Sequence, residues 1–218
     1  MKILVIDVGG THIKLLASRE ETPRKFDSGP TLTPAAMVEQ ILAVTKDWTY
    51  DHISIGFPAP VRDNRPVREP WNLGKGWTDF DFERAFKLPV RMINDAAMQA
   101  LGSYHGGNML FLGLGTGLGT TMIRDHVIVP LELAHLPYRR GKTYEEYVGV
   151  AGMENLGKHK WRKHVHHIVD LFVAALEVDY VVLGGGNSVH MKNLPDNVEL
   201  GSNANAFKGG FRLWERDA

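Results

Sequence analysis

The stretch Lys2-Ile3-Leu4-Val5-Ile6-Asp7-Val8-Gly9-Gly10-Thr11-His12-Ile13-Lys14-Leu15-Leu16-Ala17 decides how the rest of the chain is read. Its β-branched apolar run ends at Asp7 and a glycine pair, and a second apolar run starts at once. Two strands parted by Gly-Gly read as a hairpin. The tip holds unshielded N–H groups, the Thr11 hydroxyl and one carboxylate. Amides in such a turn form a concavity for phosphate oxygens, and Asp7 could hold magnesium through water. A plain glycine turn is the commoner use of the same residues. Lys14 either reaches a phosphate or is solvated.

The pattern returns at mid-chain. Met109 to Leu112 reads as a strand, followed by the turn Gly113-Leu114-Gly115-Thr116-Gly117-Leu118-Gly119. Thr120 to Ile123 is the returning strand, and Val127 to Val129 completes a meander. The two halves therefore read as a diverged repeat of architecture. The second glycine run loosely matches G-x-G-x-x-G. A strand rather than a helix follows it, so no helix N-terminus meets a pyrophosphate, and a dinucleotide fold is rejected. No complete Walker A pattern occurs.

Between the two hairpins, Phe26 belongs to a third strand. Thr33 to Trp48 has helical periodicity, with Thr33 as cap and Pro34 in the first turn. Ile53 to Phe57 is another strand. Val61 to Leu88 is a polar and aromatic insertion, with a turn at Arg62-Asp63-Asn64-Arg65. Within it, Trp71-Asn72-Leu73-Gly74-Lys75-Gly76-Trp77 either faces a sugar or is a surface loop pinned by two Trp. Phe82 to Phe86 reads as a short helix. The strand from Val90 to Ile93 ends at Asn94-Asp95, and a small-residue helix follows to near Gly102. Asn or Asp at that junction can cap the helix. Alternatively, Asp95 is a general base taking a proton from a hydroxyl about 3 Å away.

Beyond the second hairpin, Glu132 and His135 share a face if their turn is helical. They are a possible metal pair without further ligands, or a buried His satisfied by its neighbour. Arg139-Arg140-Gly141-Lys142 is a basic loop. Tyr144 begins a helix in which Glu145 points inward, or Glu145 and Glu146 simply favour the first turn. Lys158 to His167 is strongly basic. Trp161, Val165, Ile168, Val169, Phe172 and Leu176 give that segment an apolar face. Its charges are a solvated face or a polyanion track, and its His residues are an exposed cluster or a metal site. Tyr180 to Leu183 is a strand ending in Gly184-Gly185-Gly186-Asn187, where a flat ligand or phosphate can approach the backbone. Asn203 to Trp214 closes the chain, its helix short or interrupted at Gly209-Gly210.

Composition bounds the classes. A chain of 218 residues with 44% hydrophobic content builds one large domain or two small ones. Lys plus Arg and Asp plus Glu are 25 each, so no global field favours nucleic acid or an anionic membrane. There are no cysteines, which excludes disulfides and thiolate metal sites and fits a reducing compartment. No stretch approaches the ~20 apolar residues of a membrane span, and the N-terminus does not read as a signal peptide. A cytoplasmic protein is expected.

Asp7-x-Gly9-Gly10-Thr11, Asn94-Asp95, Gly113-x-Gly115-Thr116-Gly117 and Gly184-Gly185-Gly186 occur in that order. Together they resemble the ROK sugar kinases of the actin-like superfamily, over nearly the whole chain. Asn72-Leu73-Gly74-Lys75-Gly76-Trp77, Leu131 to His135, Gly141 to Tyr147 and Gly209 to Trp214 are similar to the polyphosphate glucokinase branch. The resemblance implies an α/β fold of two ribonuclease-H-like domains around a central cleft. These would span 1–106, joined by the terminal segment 203–218, and 107–202. It implies phosphoryl transfer from polyphosphate, ATP or both to the 6-hydroxyl of glucose, with Asp95 as base. Asn72, Asn94, Glu132, His135 and Glu145 would hold sugar hydroxyls. Asp7, Gly9, Gly10, Thr11, Gly115 and Thr116 would surround the phosphoryl group, with Lys14 in reach and Asp7 on magnesium. Gly185 and Gly186 would lie beside a nucleotide. The cysteine-rich zinc loop of many family members is missing, so no zinc is expected. Ala97 stands where the polyphosphate branch often has a second acid. A homodimer is a family expectation. The alternatives are a kinase for fructose, mannose or an N-acetyl sugar, and a non-catalytic sugar sensor on the same fold.

Overall fold

A computed structural model describes residues 1–202 and 204–215; Asn203 and 216–218 of the terminal segment lie outside the described residues. The chain divides into two units, Met1–Met98 with Ala206–Ala218, and Gln99–Asn205.

The first unit opens with β1 (Ile3–Val8), β2 (His12–Ala17) and β3 (Arg24–Asp27), an antiparallel meander. β1 is buried along its whole length, as its unbroken apolar run requires. β2 alternates buried and half-buried positions, so only one of its faces is fully covered. Helix α1 (Pro34–Val44) starts where Thr33 Oγ1 accepts the Ala36 N–H at 3.3 Å, and it buries Met37, Val38 and Ile41. β4 (His52–Phe57) then runs parallel to β1. The short pair β5 (Val61–Arg62) and β6 (Arg65–Pro66) turns through Asp63 and Asn64, both at positive φ. Helix α2 (Phe82–Phe86) is capped by Asp81. β7 (Val90–Asn94) lies parallel to β4, completing the sheet order β3-β2-β1-β4-β7. The two Trp of the insertion do not act as a pair. Trp77 is fully buried against Phe57 and Phe82, whereas Trp71 is 90% exposed.

The chain leaves the first unit within α3 (Asp95–Ser103). In the second unit, β8 (Asn108–Leu114), β9 (Leu118–Arg124) and β10 (Val127–Leu131) form another antiparallel meander. A ribbon follows, β11 (Pro137–Arg139) with β12 (Lys142–Thr143). Next come α4 (Tyr144–Val148), closed by a Thr143–Glu146 capping box, and the long α5 (Val150–Leu176). α5 leaves helical geometry at Gly157, whose φ of 73° suits glycine. Beyond the break it buries Trp161, Val165, Ile168, Val169 and Phe172. β13 (Tyr180–Gly184) and β14 (Val198–Leu200) add in parallel, giving β10-β9-β8-β13-β14. This repeats the first sheet's pattern: an antiparallel meander whose first strand is extended by two parallel ones.

The last helix, α6 (Asn205–Arg212), is short, eight residues, and runs unbroken through Gly209-Gly210, so of the two expected forms it takes the first. Close packing explains the glycines. A Cβ on Gly210 would stand 2.3 Å from Val5 Cγ1. Ser54 Oγ donates to the Gly210 carbonyl at 2.6 Å and accepts the Trp214 indole N–H at 2.9 Å. Arg91 donates to the Leu213 carbonyl at 2.8 Å and lies 4.4 Å over the Trp214 ring. The terminal segment is thereby fastened to the first sheet. Among the described residues, no helix is long and apolar enough to cross a membrane.

Overpacking a tight contact costs about 1–3 kcal/mol. Gly210→Ala should therefore lower the apparent thermal midpoint by several degrees. Calorimetry reading an unchanged midpoint would show that α6 can step off Val5 freely.

Candidate active site

Strand register brings the acids of the first unit to one end of its sheet. Asp7 on β1 pairs with Gly56 on β4, and Phe57 pairs with Asn94 on β7. These are the carboxyl ends of three parallel neighbours, where open α/β sheets bind ligands. Gly56 makes room there: a Cβ would meet Met98 Cε at 2.3 Å, so the Met98 side chain would have to shift. Without a side chain at 56, Met98 of α3 can lie close against the sheet.

At the start of α3 the two candidate roles fall to two residues. Asn94 Oδ1 accepts the Ala96 and Ala97 N–H groups at 3.0 and 3.3 Å, so Asn94 caps the helix. Its Nδ2 lies 3.4 Å from the Phe57 and Ala59 carbonyls. Asp95 is half-buried and accepts the Ala96 N–H at 2.8 Å. Burial pushes its carboxyl up to about 7, with the Asp7 charge adding to the rise and the Ala96 and Asn94 contacts opposing it. A carboxylate so placed is poised to exchange a proton near neutral pH. Asp7 is itself buried, and burial raises its pKa against the pull of Lys14. Lys14 does not stand alone in solvent: it faces Asp7 across the hairpin, with Nζ 3.4 Å from Oδ2.

The Gly9-Gly10 turn is held from both sides. Gly9 N–H donates to the His12 carbonyl at 3.1 Å, and Ser28 Oγ donates to the Gly9 carbonyl at 2.6 Å. Asn72 packs on the tip, since a Cβ at Gly10 would lie 3.0 Å from Asn72 Cβ. The Asn72 loop is fixed by Gly74 N–H to the Leu32 carbonyl and by the Trp77 indole to the Gly74 carbonyl, each 2.9 Å. Glu69 accepts the Gly76 and Trp77 N–H groups at 3.2 and 3.1 Å.

The second unit carries the other candidates. Glu145 Oε2 accepts the Leu118 N–H at 3.2 Å, and a Cβ on Gly117 would stand 2.0 Å from that oxygen. Glu145 therefore points inward, onto the glycine turn. The Val150 N–H at the start of α5 reaches the Gly115 and Thr116 carbonyls, both at 3.2 Å. Gly115 and Gly186 have open space where a side chain would stand. Gly185, at φ 79°, would put a Cβ 2.5 Å from the Leu114 carbonyl. Asn187 ties the two glycine turns: its N–H donates to Leu114 O at 2.9 Å and its Nδ2 to Gly115 O at 3.1 Å. Glu132 and His135 lie 3.6 Å apart, both exposed, so His135 is not a core histidine. Thr120 Oγ1 pins their turn to the Leu131 carbonyl and the Leu133 N–H.

The first unit thus gathers Asp7, Gly9, Gly10, Thr11, Lys14, Asn72, Asn94 and Asp95. The second gathers Gly115, Thr116, Glu145, Gly185 and Gly186, with Glu132 and His135 on the turn after β10. Sequence reasoning missed three positioning residues, Ser28, Glu69 and Asn187. Asn187 was signalled by its place after the glycine triplet; Ser28 and Glu69 act at a distance and leave no local pattern. Among the described residues, no group of three or more His, Cys, Asp or Glu side chains converges on a metal-sized point.

The sequence model of the ROK family matches residues 3–129. A glucokinase of Pyrobaculum calidifontis is 27% identical over 134 residues, covering 59% of this chain and 45% of that protein. The chain thus spans less than half the length of that relative. A polyphosphate glucokinase of Mycobacterium tuberculosis is 26% identical over 205 residues, covering 84% of this chain and 77% of that protein. The solved polyphosphate/ATP-glucomannokinase of Arthrobacter sp. strain KM superposes with a TM-score of 0.79 at 21% identity, covering 100% of this chain and 99% of the other.

The raised Asp95 pKa has a signed consequence for stability. Between about pH 4 and 7 the folded state keeps a proton that the unfolded state has lost, so this group's stabilising contribution is full below pH 4 and lost as pH rises through 7. Asp95→Asn should therefore stabilise the protein above pH 7, by a few kcal/mol at most, with the gain vanishing below pH 4. Thermal midpoints of both proteins across pH 4–9 measure it; parallel curves would refute the desolvated carboxylate.

Proposed function

The chain belongs to the ROK family, and we propose that it is a hexose 6-kinase, specifically a glucokinase drawing its phosphoryl group from inorganic polyphosphate, ATP or both. The observation that carries this reading is the half-buried Asp95 carboxyl, pushed up to about 7 beside a second acid at the carboxyl ends of parallel strands. The names of the mycobacterial and Arthrobacter relatives support the donor class.

In this mechanism Asp95 accepts the proton of the sugar 6-hydroxyl. The freed oxygen forms a bond to the terminal phosphorus, and the bridging P–O bond breaks to release a shortened polyphosphate or ADP. Such transfers depend on alignment and charge neutralisation more than on covalent help. Asn72, Glu132, His135, Glu145 and the Asn94 amide would hold sugar hydroxyls. The Gly10 and Thr11 N–H groups of the first turn and the Thr116 N–H of the second would cradle phosphate oxygens, the Gly9 and Gly115 N–H groups being spent within the turns on the His12 and Gly117 carbonyls. Gly185 and Gly186 would bound a nucleotide base or ribose, with Asn187 fixing their turn. A sugar sensor has no use for a base tuned to neutral pH, which favours the enzyme.

Magnesium fits the residues present. It is commonly held by one or two carboxylates while phosphates and waters complete its shell. Asp7, raised by burial and set against the like charge of Asp95, is such a carboxylate, with Lys14 as a nearby cation. When bound, the ion would offset the charge of the transferred group.

Glucose 6-phosphate formation, followed with ATP and with polyphosphate and with and without magnesium, tests the reading. Asp95→Asn should lower kcat by about 10²–10⁴ with the fold intact. Most of the turnover surviving in that variant would remove Asp95 from the chemistry. Product from mannose or fructose at a higher rate than from glucose would reassign the sugar.

A further inference from the structure

We propose that a basic pocket in the second unit, lined by Tyr138, Arg139, Lys160, Lys163, His164 and His167, binds a linear phosphate chain and holds the distal part of a polyphosphate donor. The binding claim stands on the pocket itself; the donor claim rests on the kinase reading above.

The pocket has a volume of about 350 Å³. Its floor is aromatic. Tyr138 stacks on Tyr144 at 4.9 Å, meets Tyr147 edge-on at 5.0 Å, and its hydroxyl lies 3.0 Å from His164 Nδ1. One wall is α5, where Lys160, Lys163, His164 and His167 recur at three- and four-residue intervals and so share a face. The interleaved Trp161, Val165 and Ile168 are buried in the core, which fixes that face outward. Arg139 on β11 supplies the other wall, its guanidinium 5.2 Å from the Tyr138 ring. Among the described residues, no carboxylate pairs with Arg139, Lys160 or Lys163. Burial and Arg139 hold the His164 pKa below its ordinary value, so the standing charge at neutral pH comes from those three.

Three unpaired cations around a concavity offer donors and permanent positive charge without a counter-charge. The complementary ligand is an oxyanion with several charges. Single-stranded nucleic acid is less suited, because it relies on open aromatic faces for base stacking. Here Tyr138 is already stacked on Tyr144 and carries Arg139.

Position relates the pocket to the phosphate turn. α5 begins at Val150, bonded to Gly115 and Thr116. Lys160 lies ten residues further on, beyond the break at Gly157. A ligand that meets both the turn and the pocket is an extended chain of phosphates rather than a single phosphate group.

The test compares the wild-type protein with Lys160→Ala/Lys163→Ala and with the triple variant adding Arg139→Ala. All three side chains are exposed, so folding is not at stake. Fluorescence anisotropy of end-labelled long-chain polyphosphate is read over a salt series. The variants should raise Kd about tenfold or more, and flatten the slope of log Kd against log salt by about 0.7 per cation removed. Unchanged binding, or none by the wild type, overturns the pocket. Single-stranded RNA displacing the probe as well as free polyphosphate overturns the phosphate-chain assignment. In glucose phosphorylation, KM should rise at least several-fold more for long-chain polyphosphate than for tripolyphosphate or ATP; equal rises overturn the donor role. A wild type that binds polyphosphate through these cations yet makes no glucose 6-phosphate from any donor leaves the pocket standing and sinks the kinase reading.

Discussion

Two carboxylates forced to share one desolvated sheet end are the constraint on which the first unit's site depends. Asp7 and Asp95 each lose hydration, and each raises the cost of the other's charge. The fold tolerates this because several small features act together. Gly56 leaves room for the Met98 side chain of α3 against the sheet, Asn94 and Asp95 share the first amides of that helix, and Lys14 stands across the hairpin from Asp7. In the proposed mechanism, burial first and the neighbouring Asp7 charge second tune Asp95 as a proton acceptor near neutral pH, so stability would be lost at the point where reactivity is gained.

The repeated topology assigns different chemistry to similar geometry. Both units open with a strand, a glycine turn and a returning strand, followed by parallel additions. In the first, the turn follows a buried acid and is closed over by Asn72 and Ser28. In the second, no acid precedes the turn; Gly115 and Gly186 leave backbone uncovered, and Asn187 holds their two loops together. The first turn thus follows a buried acid directly in the chain, whereas the second takes its carboxylate, Glu145, from a later helix.

Strands and helices were legible because their periods match their burial. β1 is a continuous apolar run buried along its length, β2 alternates, and Thr33-Pro34 marks the start of α1. The glycine turns and the Asn94-Asp95 junction were legible as candidate chemistry for the same local reason. What escaped were distinctions set by tertiary contact. Trp71 and Trp77 look alike in sequence, but only Trp77 meets Phe57 and Phe82. Gly209-Gly210 reads as a helix breaker until Val5 supplies the reason for the missing side chains. Asn94 and Asp95 compete equally for the cap on paper; both accept the Ala96 N–H, and Asn94 also accepts that of Ala97. Lys14 was left between a phosphate and solvent because its partner Asp7 lies across a turn, seven residues away.

A chain of zero net charge cannot gather a polyanion by its overall field, so any preference for a phosphate chain has to be local. At physiological salt, fields from exposed charges fade within about 8 Å. Isolated lysines scattered over a surface would therefore do little, whereas cations around one concavity act on the same ligand atoms. The aromatic floor of the α5 pocket matters for this reason. Tyr138 and its neighbours orient Arg139 and support the helix face without contributing a negative charge, so the field of the three cations is not cancelled at its source. On the proposed reading, a nucleotide held at the glycine turns would derive little from that field around the middle of α5. If the proposal holds, the two donors would be separated by length, through charges that a short donor does not meet.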